Sequence, residues 1–472
     1  MFVRLFISLF IVLVVYFASS RIEKKCTMKE RCQTIFSPAW IVRILSPSFV
    51  LLLMGERETI LLKGISFLFS FAVTSFIIFS LLSVSAESLR KRYEAKTVYA
   101  LWLLPNLLYF NFYWTSSLPV FRPLFVFCIS HETLFRYIMI AWFVIGSLIL
   151  MGNIISHFRF RKKLDESLYE LRDERILSLW NKKQEEYEIK ESKRIPIYTS
   201  PSISSAMTVG AFYRNTILVL PEKEYTDDEL DMIFSHELVH IIREDGMTKL
   251  YMAICKAFNF YDPFVYIGTR KCCQDIELAC DEIVLTDADE KARREYGKLI
   301  LSSAGEEEGF TSNLSADGES MKYRLMNILE PKERKKGAFF LSVCTLIVLL
   351  IPDMFGVAYH KQNAEKLFFN GNIDYENAGV RQEGFEIPGI FYKNADKQAL
   401  ISYLSKIDVY EIYASKIFDG ESVCVRYLMD DEYREIEFNS RFIVFHDQEK
   451  DRTYYVKDGI DMDLVKKLCD PS

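Results

Sequence analysis

The sequence predicts a multi-span α-helical membrane protein with two α+β domains, one on each side of the bilayer. Three observations lead there. Long apolar runs are concentrated in residues 1–156, basic residues alternate between the loops that join them, and two polar stretches mix helical and strand periodicity. Of the 472 residues half are hydrophobic and 37 are Phe. The net charge of −6 offers no footprint for direct nucleic-acid binding.

Six candidate spans lie at about 3–19, 37–54, 64–85, 98–115, 134–156 and 338–358, each close to the length that crosses a hydrocarbon core. The third, fifth and sixth are the cleanest. The second carries Arg43 and Pro47, and the fourth Pro105, Asn106 and Asn111, so both also fit re-entrant or interfacial segments and the total is four to six. The first ends in Ala18-Ser19-Ser20, a poor signal-peptidase site, and more spans follow it.

Loop charge orients these spans. Basic residues follow the first (Arg21, Lys24, Lys25, Lys29, Arg31), the third (Arg90, Lys91, Arg92, Lys96) and the fifth (Arg159, Arg161, Lys162, Lys163), and precede the last (Lys332, Arg334, Lys335, Lys336). The loops near 55–60 and 116–132 are poor in them. The positive-inside rule then gives a membrane domain over 1–156 with about five spans, a cytoplasmic domain over 157–337, a transmembrane helix over 338–358 and an extracytoplasmic domain over 359–472. Cys255, Cys272, Cys273 and Cys280 fall on the reducing side; Cys424 and Cys469 fall outside and are candidates for a pair, on the weak ground of location alone.

In the cytoplasmic stretch, residues 157–192 are charged and free of Pro and Gly and predict one amphipathic helix. Strands are expected at Ile195–Tyr198, Ala206–Gly210 and Thr216–Leu220. Thr226 and Glu229 form a capping box that opens a helix over 227–243, with an apolar stripe of Leu230, Ile233, Phe234, Leu238 and Ile241 and a stop at Asp245-Gly246. Helices at 247–260 and about 264–285 follow, the latter opened by Asp262-Pro263.

The chemistry resides in the first of these helices. His236-Glu237-Leu238-Val239-His240 places two imidazoles one turn apart on one face, where they can grip a single zinc ion, with Glu237 beside them as general base. Zinc needs a third protein ligand. Glu277 and Asp281, four apart on the later helix, can supply one ligand and one acceptor for the outer N–H of a ligating histidine. An acidic solvated face is the plainer reading of such a pair, but Leu278, Ala279, Ile283 and Val284 surround it. Cys280 and Cys272-Cys273 are rival ligands, better read as small buried residues.

Four segments in order carry a resemblance to a known family: Asn215–Pro221, Ser235–His240, Asp262–Phe264 with Glu277–Leu285, and Tyr323–Leu329. Over about 190–360 the chain resembles the BlaR/MecR-type membrane-bound antirepressor metallopeptidases. The resemblance implies a gluzincin-type zinc endopeptidase domain in the cytoplasm, with His236, His240 and Glu277 as zinc ligands and Glu237 as base. It also implies signal transduction: an extracytoplasmic domain senses a stimulus and the inner protease cuts a transcriptional repressor, itself, or both, with self-cleavage in the polar segment 302–320. The chain departs from the pattern in two ways. The family commonly shows three spans before the peptidase where five are counted here, and 359–472 contains neither Ser-x-x-Lys nor Lys-Thr-Gly, so acylation by a β-lactam is not expected and the extracellular ligand is open.

Two further expectations concern catalysis. Tyr296 and Arg294 are candidates to steady an oxyanion, and Ala206–Gly210 is placed to act as an edge strand for a protein substrate or as an ordinary core strand. Residues 370–472 predict a small α+β module with a helix from Asn394 to Ile407, strands at Ser422–Leu428, Tyr433–Asn439, Arg441–His446 and Thr453–Val456, and a last helix at about 461–469. Two other functions fit: a receptor whose zinc is structural and that relays a signal without proteolysis, and a membrane protease for peptide processing or quality control.

Overall fold

The computed structural model describes residues 2–23, 27–32, 57–107, 123–210, 213–302, 318–351, 355–383, 390–412, 421–430, 432–446 and 451–470. The expected span at 37–54, the second half of that at 98–115 and most of the 302–320 segment lie outside these residues.

Helix α1 (Phe2–Glu23) is followed by α2 (Met28–Arg31), a single turn started by a Thr27/Glu30 capping box. Cys32, just beyond, is buried in the same cluster as Trp180 and Phe234. Helix α3 (Arg57–Arg92) has 36 residues and is about 54 Å long at 1.5 Å per residue. Helix α4 (Ala95–Trp102) corrects one expectation. The fourth span was to begin here, but this is an eight-residue helix with every side chain except Lys96 buried. Its polar atoms explain why: the Trp102 Nε1–H donates to Asp275 (2.7 Å) and the Tyr99 hydroxyl to Asp245 (3.2 Å), bonds a lipid-facing helix could not make.

Strand β1 (Phe125–Cys128) precedes α5 (Glu132–Asp165). Among the described residues two helical stretches are long and apolar enough to cross a membrane, Ala72–Arg92 in α3 and Thr133–Asp165 in α5, and shorter apolar helices occupy Ser8–Ile22 and Ala338–Leu350. Leu134, Ile140, Phe143, Leu148 and Met151 leave α5 apolar and uncovered for most of its length.

The single helix expected over 157–192 is broken in two. Helix α5 ends at Asp165, β2 (Tyr169–Glu170) pairs with the next strand, and α6 (Glu174–Glu186) restarts where the Asp173 carboxylate accepts from the N–H groups of Arg175 and Ile176. Strands β3 (Ile197–Ser200), β4 (Met207–Val209) and β5 (Ile217–Pro221) complete a sheet of order β2-β3-β5-β4, with β3 parallel and β4 antiparallel to β5. Gly210 ends the edge strand β4 at φ +142°, and a Cβ there would lie 2.7 Å from the Asn215 carbonyl oxygen.

Helix α7 (Asp227–Arg243) starts at the Thr226/Glu229 capping box and ends at Glu244, left-handed at φ 58°. The chain turns there and continues directly as α8 (Asp245–Phe258), so Asp245-Gly246 opens a helix instead of stopping one. Helix α9 (Pro263–Val284) begins on the Asp262 cap, and α10 (Glu290–Ser302), α11 (Gly318–Leu329) and α12 (Ala338–Leu350) follow. Leu218, Leu220, Phe234, Leu238, Trp180 and Cys280 share one core, which holds α7 between the sheet, α6 and α9.

The last apolar helix is shorter than the expected 338–358, because Phe355 already begins β6 (Phe355–Asn363). After α13 (Ala364–Phe368) come β7 (Ile373–Glu383), β8 (Ile390–Phe391), α14 (Lys397–Ser405), β9 (Asp408–Ile412), β10 (Ser422–Met429), β11 (Glu432–Phe438), β12 (Phe442–His446), β13 (Arg452–Tyr455) and α15 (Met462–Cys469). The four expected strands and both helices are present, and β6, β7, β8 and β9 add to them. The nine-stranded sheet has the order β1-β6-β9-β13-β12-β11-β10-β7-β8, so β1, from far upstream, pairs in parallel with β6 at its edge. Cys424 and Cys469 are both buried and free, so the candidate pair does not form.

Candidate metal centre

Helix α7 turns its polar motif inward. His236, Glu237 and His240 are all at least nine-tenths buried, an expensive placement unless their polar atoms are matched. The two imidazoles stand 4.6 Å apart between centroids at 82°. Their Nε2 atoms are 3.0 Å apart, and Glu277 Oε2, delivered by α9, lies 3.5 Å from the first and 3.7 Å from the second. Three ligand atoms on a tetrahedral centre with bonds of about 2.0–2.1 Å sit about 3.4 Å from one another, which this triangle matches. Glu277 Oε1 is buried without a hydrogen-bond partner, a second mark of a group waiting for a cation.

Both histidines are fixed from behind. His240 Nδ1 is 2.7 Å from Asp245 Oδ2, and Asp245 accepts from Arg243 Nη2 (2.6 Å) and Nε (3.1 Å). Arg243 lies over the Tyr99 ring, 4.9 Å from its centroid. His236 Nδ1 is 2.7 Å from the Tyr296 oxygen, and the Tyr296 hydroxyl donates to Asp281 Oδ1 at 2.8 Å. Each Nδ1 therefore faces an acceptor, and each Nε2 lone pair is left to point into the triangle. Asp281 in turn accepts from Arg324 Nε and Nη2, both at 2.8 Å, and Arg324 Nη1 reaches Glu277 Oε2 at 3.3 Å.

The electrostatics favour a cation. Burial works against ionising Glu277, but His240 and Arg324 hold its carboxyl well below the usual range. Asp245 is likewise lowered against burial, by Arg243 and His240. Burial also opposes charging the imidazoles, yet Cys280 and Glu277 raise His236 to about 10 and push His240 well up. Without a cation the cluster thus retains protons.

Cys280 also lies close, and His236, His240 and Cys280 offer donor atoms within 4.8 Å of one another. Its Sγ is 3.2 Å from His236 Nδ1 and donates to the His236 carbonyl at 3.3 Å. That nitrogen is already served by Tyr296, and the thiol also reaches His240, so Cys280 stands beside both imidazoles as a rival donor to Glu277 Oε2. Glu237 accepts a hydrogen bond from the Thr208 hydroxyl, which fastens its carboxylate to β4. Thr208, Gly210 and His240 line a cleft of about 20 Å³, room for one water.

The structure thus brings His236, His240, Glu277 and Glu237 together. Asp281 approaches His236 Nδ1 only to 3.7 Å and acts through Tyr296. Tyr296 stands behind His236, where it cannot face an oxyanion on the Nε2 side. Arg294 is exposed, pairs with Glu290 four residues earlier and does not enter the site. Sequence reasoning missed Asp245, Arg324 and Thr208. An acid five residues past the motif and an arginine in the Tyr323–Leu329 segment are visible in the sequence, but which ligand each serves is decided by packing.

The profile of the family described as BlaR1 peptidase M56 matches residues 126–328. The regulatory protein BlaR1 of Bacillus licheniformis is 25% identical over 263 residues, 53% of this chain and 43% of that protein. BlaR1 of Staphylococcus aureus is 27% identical over 237 residues, 48% of this chain and 38% of its own length. The methicillin resistance mecR1 protein of Staphylococcus epidermidis is 25% identical over 262 residues, 50% and 43% respectively. The matched region thus spans less than half the length of these curated relatives. The match to the BlaR1-type M56 peptidase family at residues 126–328, with this similarity over about half of the chain, supports a family of the BlaR/MecR type.

Proposed function

We propose that this protein is a membrane-embedded zinc endopeptidase that transduces a signal, in which an extracytoplasmic stimulus controls cytoplasmic cleavage of a protein substrate. The observation that carries the reading is the triangle of His236 Nε2, His240 Nε2 and Glu277 Oε2, with Glu237 fastened beside it. A bound zinc would polarise the scissile carbonyl and acidify a water. Glu237 takes the proton of that water and returns it to the leaving nitrogen. Thr208 aims the Glu237 carboxylate, and Asp245 and Tyr296 hold each Nδ1 so that each Nε2 is directed inward. Strand β4, last in the sheet order and tied to the motif helix by the Thr208–Glu237 bond, is the element proposed to receive a substrate strand.

Sidedness is supported by which segments touch. Residues 125–128 share a sheet with the C-terminal module, as expected if 116–132 and 359–472 lie on one side of the bilayer. Cys32 is buried in the peptidase core and Arg31 pairs with Asp287 at 2.6 Å, as expected if the first basic loop and 157–337 lie on the other. The name regulatory protein, borne by the BlaR1 relatives, favours a regulatory role, and a transcriptional repressor is the substrate class proposed here.

The test is Glu237→Ala in the full chain. The variant should hold zinc at wild-type stoichiometry while cleavage of the co-expressed repressor, or of the chain itself, disappears. Full cleavage by the variant rejects the proteolytic mechanism and leaves the receptor with structural zinc.

A further inference from the structure

We infer that Arg324 is a positioning residue for the metal centre, through which α11, the helix just before the last apolar helix, completes the ligand set. The inference rests on the zinc reading above. Arg324 lies 47 positions beyond Glu277 and on a different helix, yet its guanidinium touches both the ligand Glu277 and Asp281, the acid that stands behind His236 through Tyr296. Nε and Nη2 take both oxygens of Asp281 at 2.8 Å, the bidentate fork that fixes a carboxylate plane. Asp281, so fixed, accepts the Tyr296 hydroxyl at 2.8 Å, and Tyr296 sets the ring of His236 at 2.7 Å. The third nitrogen, Nη1, stands 3.3 Å from Glu277 Oε2, the same oxygen that completes the triangle with the two imidazoles.

Both acids are buried, and Arg324 is nine-tenths buried with them. One cation therefore compensates two carboxylates that stand four residues apart on α9, and it prevents either from swinging away from its role. Without it, Asp281 and Glu277 repel one another across a low-dielectric space. Asp281 would then lose its plane, His236 its orienting partner, and Glu277 its contact at 3.3 Å. Lysine cannot replace this fork, because a single ammonium cannot take both Asp281 oxygens and reach Glu277 at once. Because α11 is joined directly to the segment that enters α12, the integrity of the metal centre is tied to the docking of the helix nearest the C-terminal module.

The experiment measures zinc loss from purified full-length protein in detergent to a chromogenic chelator, with Glu237→Gln present throughout so that self-cleavage cannot interfere. Arg324→Ala should release zinc about 10–100 times faster than the parent, and Arg324→Lys should fall between them. Arg293→Ala is the control, since Arg293 joins α10 to α11 through the backbone carbonyls of Leu285, Ala288 and Ile328 and touches no ligand. It should lower the melting temperature but keep the parental rate. Parental zinc retention by Arg324→Ala overturns the inference, and so does an equal loss from Arg293→Ala, which would mean that helix docking in general, and not this fork, holds the metal. A parent that binds no zinc removes the endopeptidase reading itself, and this inference with it.

Discussion

Removing the Asp245 carboxylate should cost the protein twice, in fold stability and in metal affinity, and the two losses can be separated. Asp245 and Arg243 are each 1% exposed and joined by bonds of 2.6 and 3.1 Å, and Arg243 otherwise donates only to the Ile276 carbonyl at 2.8 Å among the described contacts. Asp245→Ala leaves a buried guanidinium uncompensated, a loss of about 3–5 kcal/mol. For a domain of this size that lowers the melting temperature by roughly 6–20 °C. The same change frees His240 Nδ1 from its 2.7 Å acceptor, so the ring no longer holds one tautomer and zinc affinity should fall about 10–100-fold. The assay is thermal melting in detergent with chelator present, beside a zinc competition titration. Replacing both partners, Arg243→Met with Asp245→Leu, removes the stranded charge and should recover most of the melting temperature, whereas zinc affinity should stay low. A single variant that melts within about 2 °C of wild type refutes the stability argument. A double variant with wild-type zinc affinity refutes the orienting role of Asp245.

Cys280→Ala should keep wild-type zinc stoichiometry, because Glu277 Oε2 already completes a triangle with the two Nε2 atoms; loss of zinc would move the third ligand from Glu277 to Cys280. Thr208→Val should leave zinc in place but lower kcat about tenfold or more by freeing the Glu237 carboxylate, and an unchanged kcat in a peptide assay would remove Thr208 from the mechanism. Zinc uptake should release protons. Since the cation-free fold holds His236 up to about 10 and His240 well above its usual value, apparent affinity should fall as pH falls below that range, by up to about tenfold per unit for each proton displaced. Calorimetry in buffers of different ionisation enthalpy reads this directly, and heats independent of buffer would contradict it.

Much of the peptidase fold was legible because it obeys local rules. The capping box at Thr226 and the stripe from Leu230 to Ile241 set the bounds of the motif helix, and Asp262-Pro263 set the start of the ligand helix. Four-residue spacing put His236 with His240, and Glu277 with Asp281, on common faces. What failed had nonlocal causes. Residues 157–192 carry no helix breaker, yet Tyr169 and Glu170 pair with β3 and the helix stops. The apolar run from Val98 reads as a span, but in its described part Trp102 and Tyr99 find buried acids on α9 and α8, and residues 98–104 are buried in the protein.

The sequence by itself determined which residue types meet a metal and on which helices they ride, since helical periodicity and charge alternation are written in a single strand of text. Tertiary structure alone decided which acid serves which histidine. Asp245 rather than Asp281 stands directly behind a ligand, Tyr296 relays rather than reacts, and Arg324 joins Glu277 to Asp281 from the helix that begins at Gly318. Hydrogen-bond partners are chosen by distance and direction across packed elements, and no spacing along the chain encodes them.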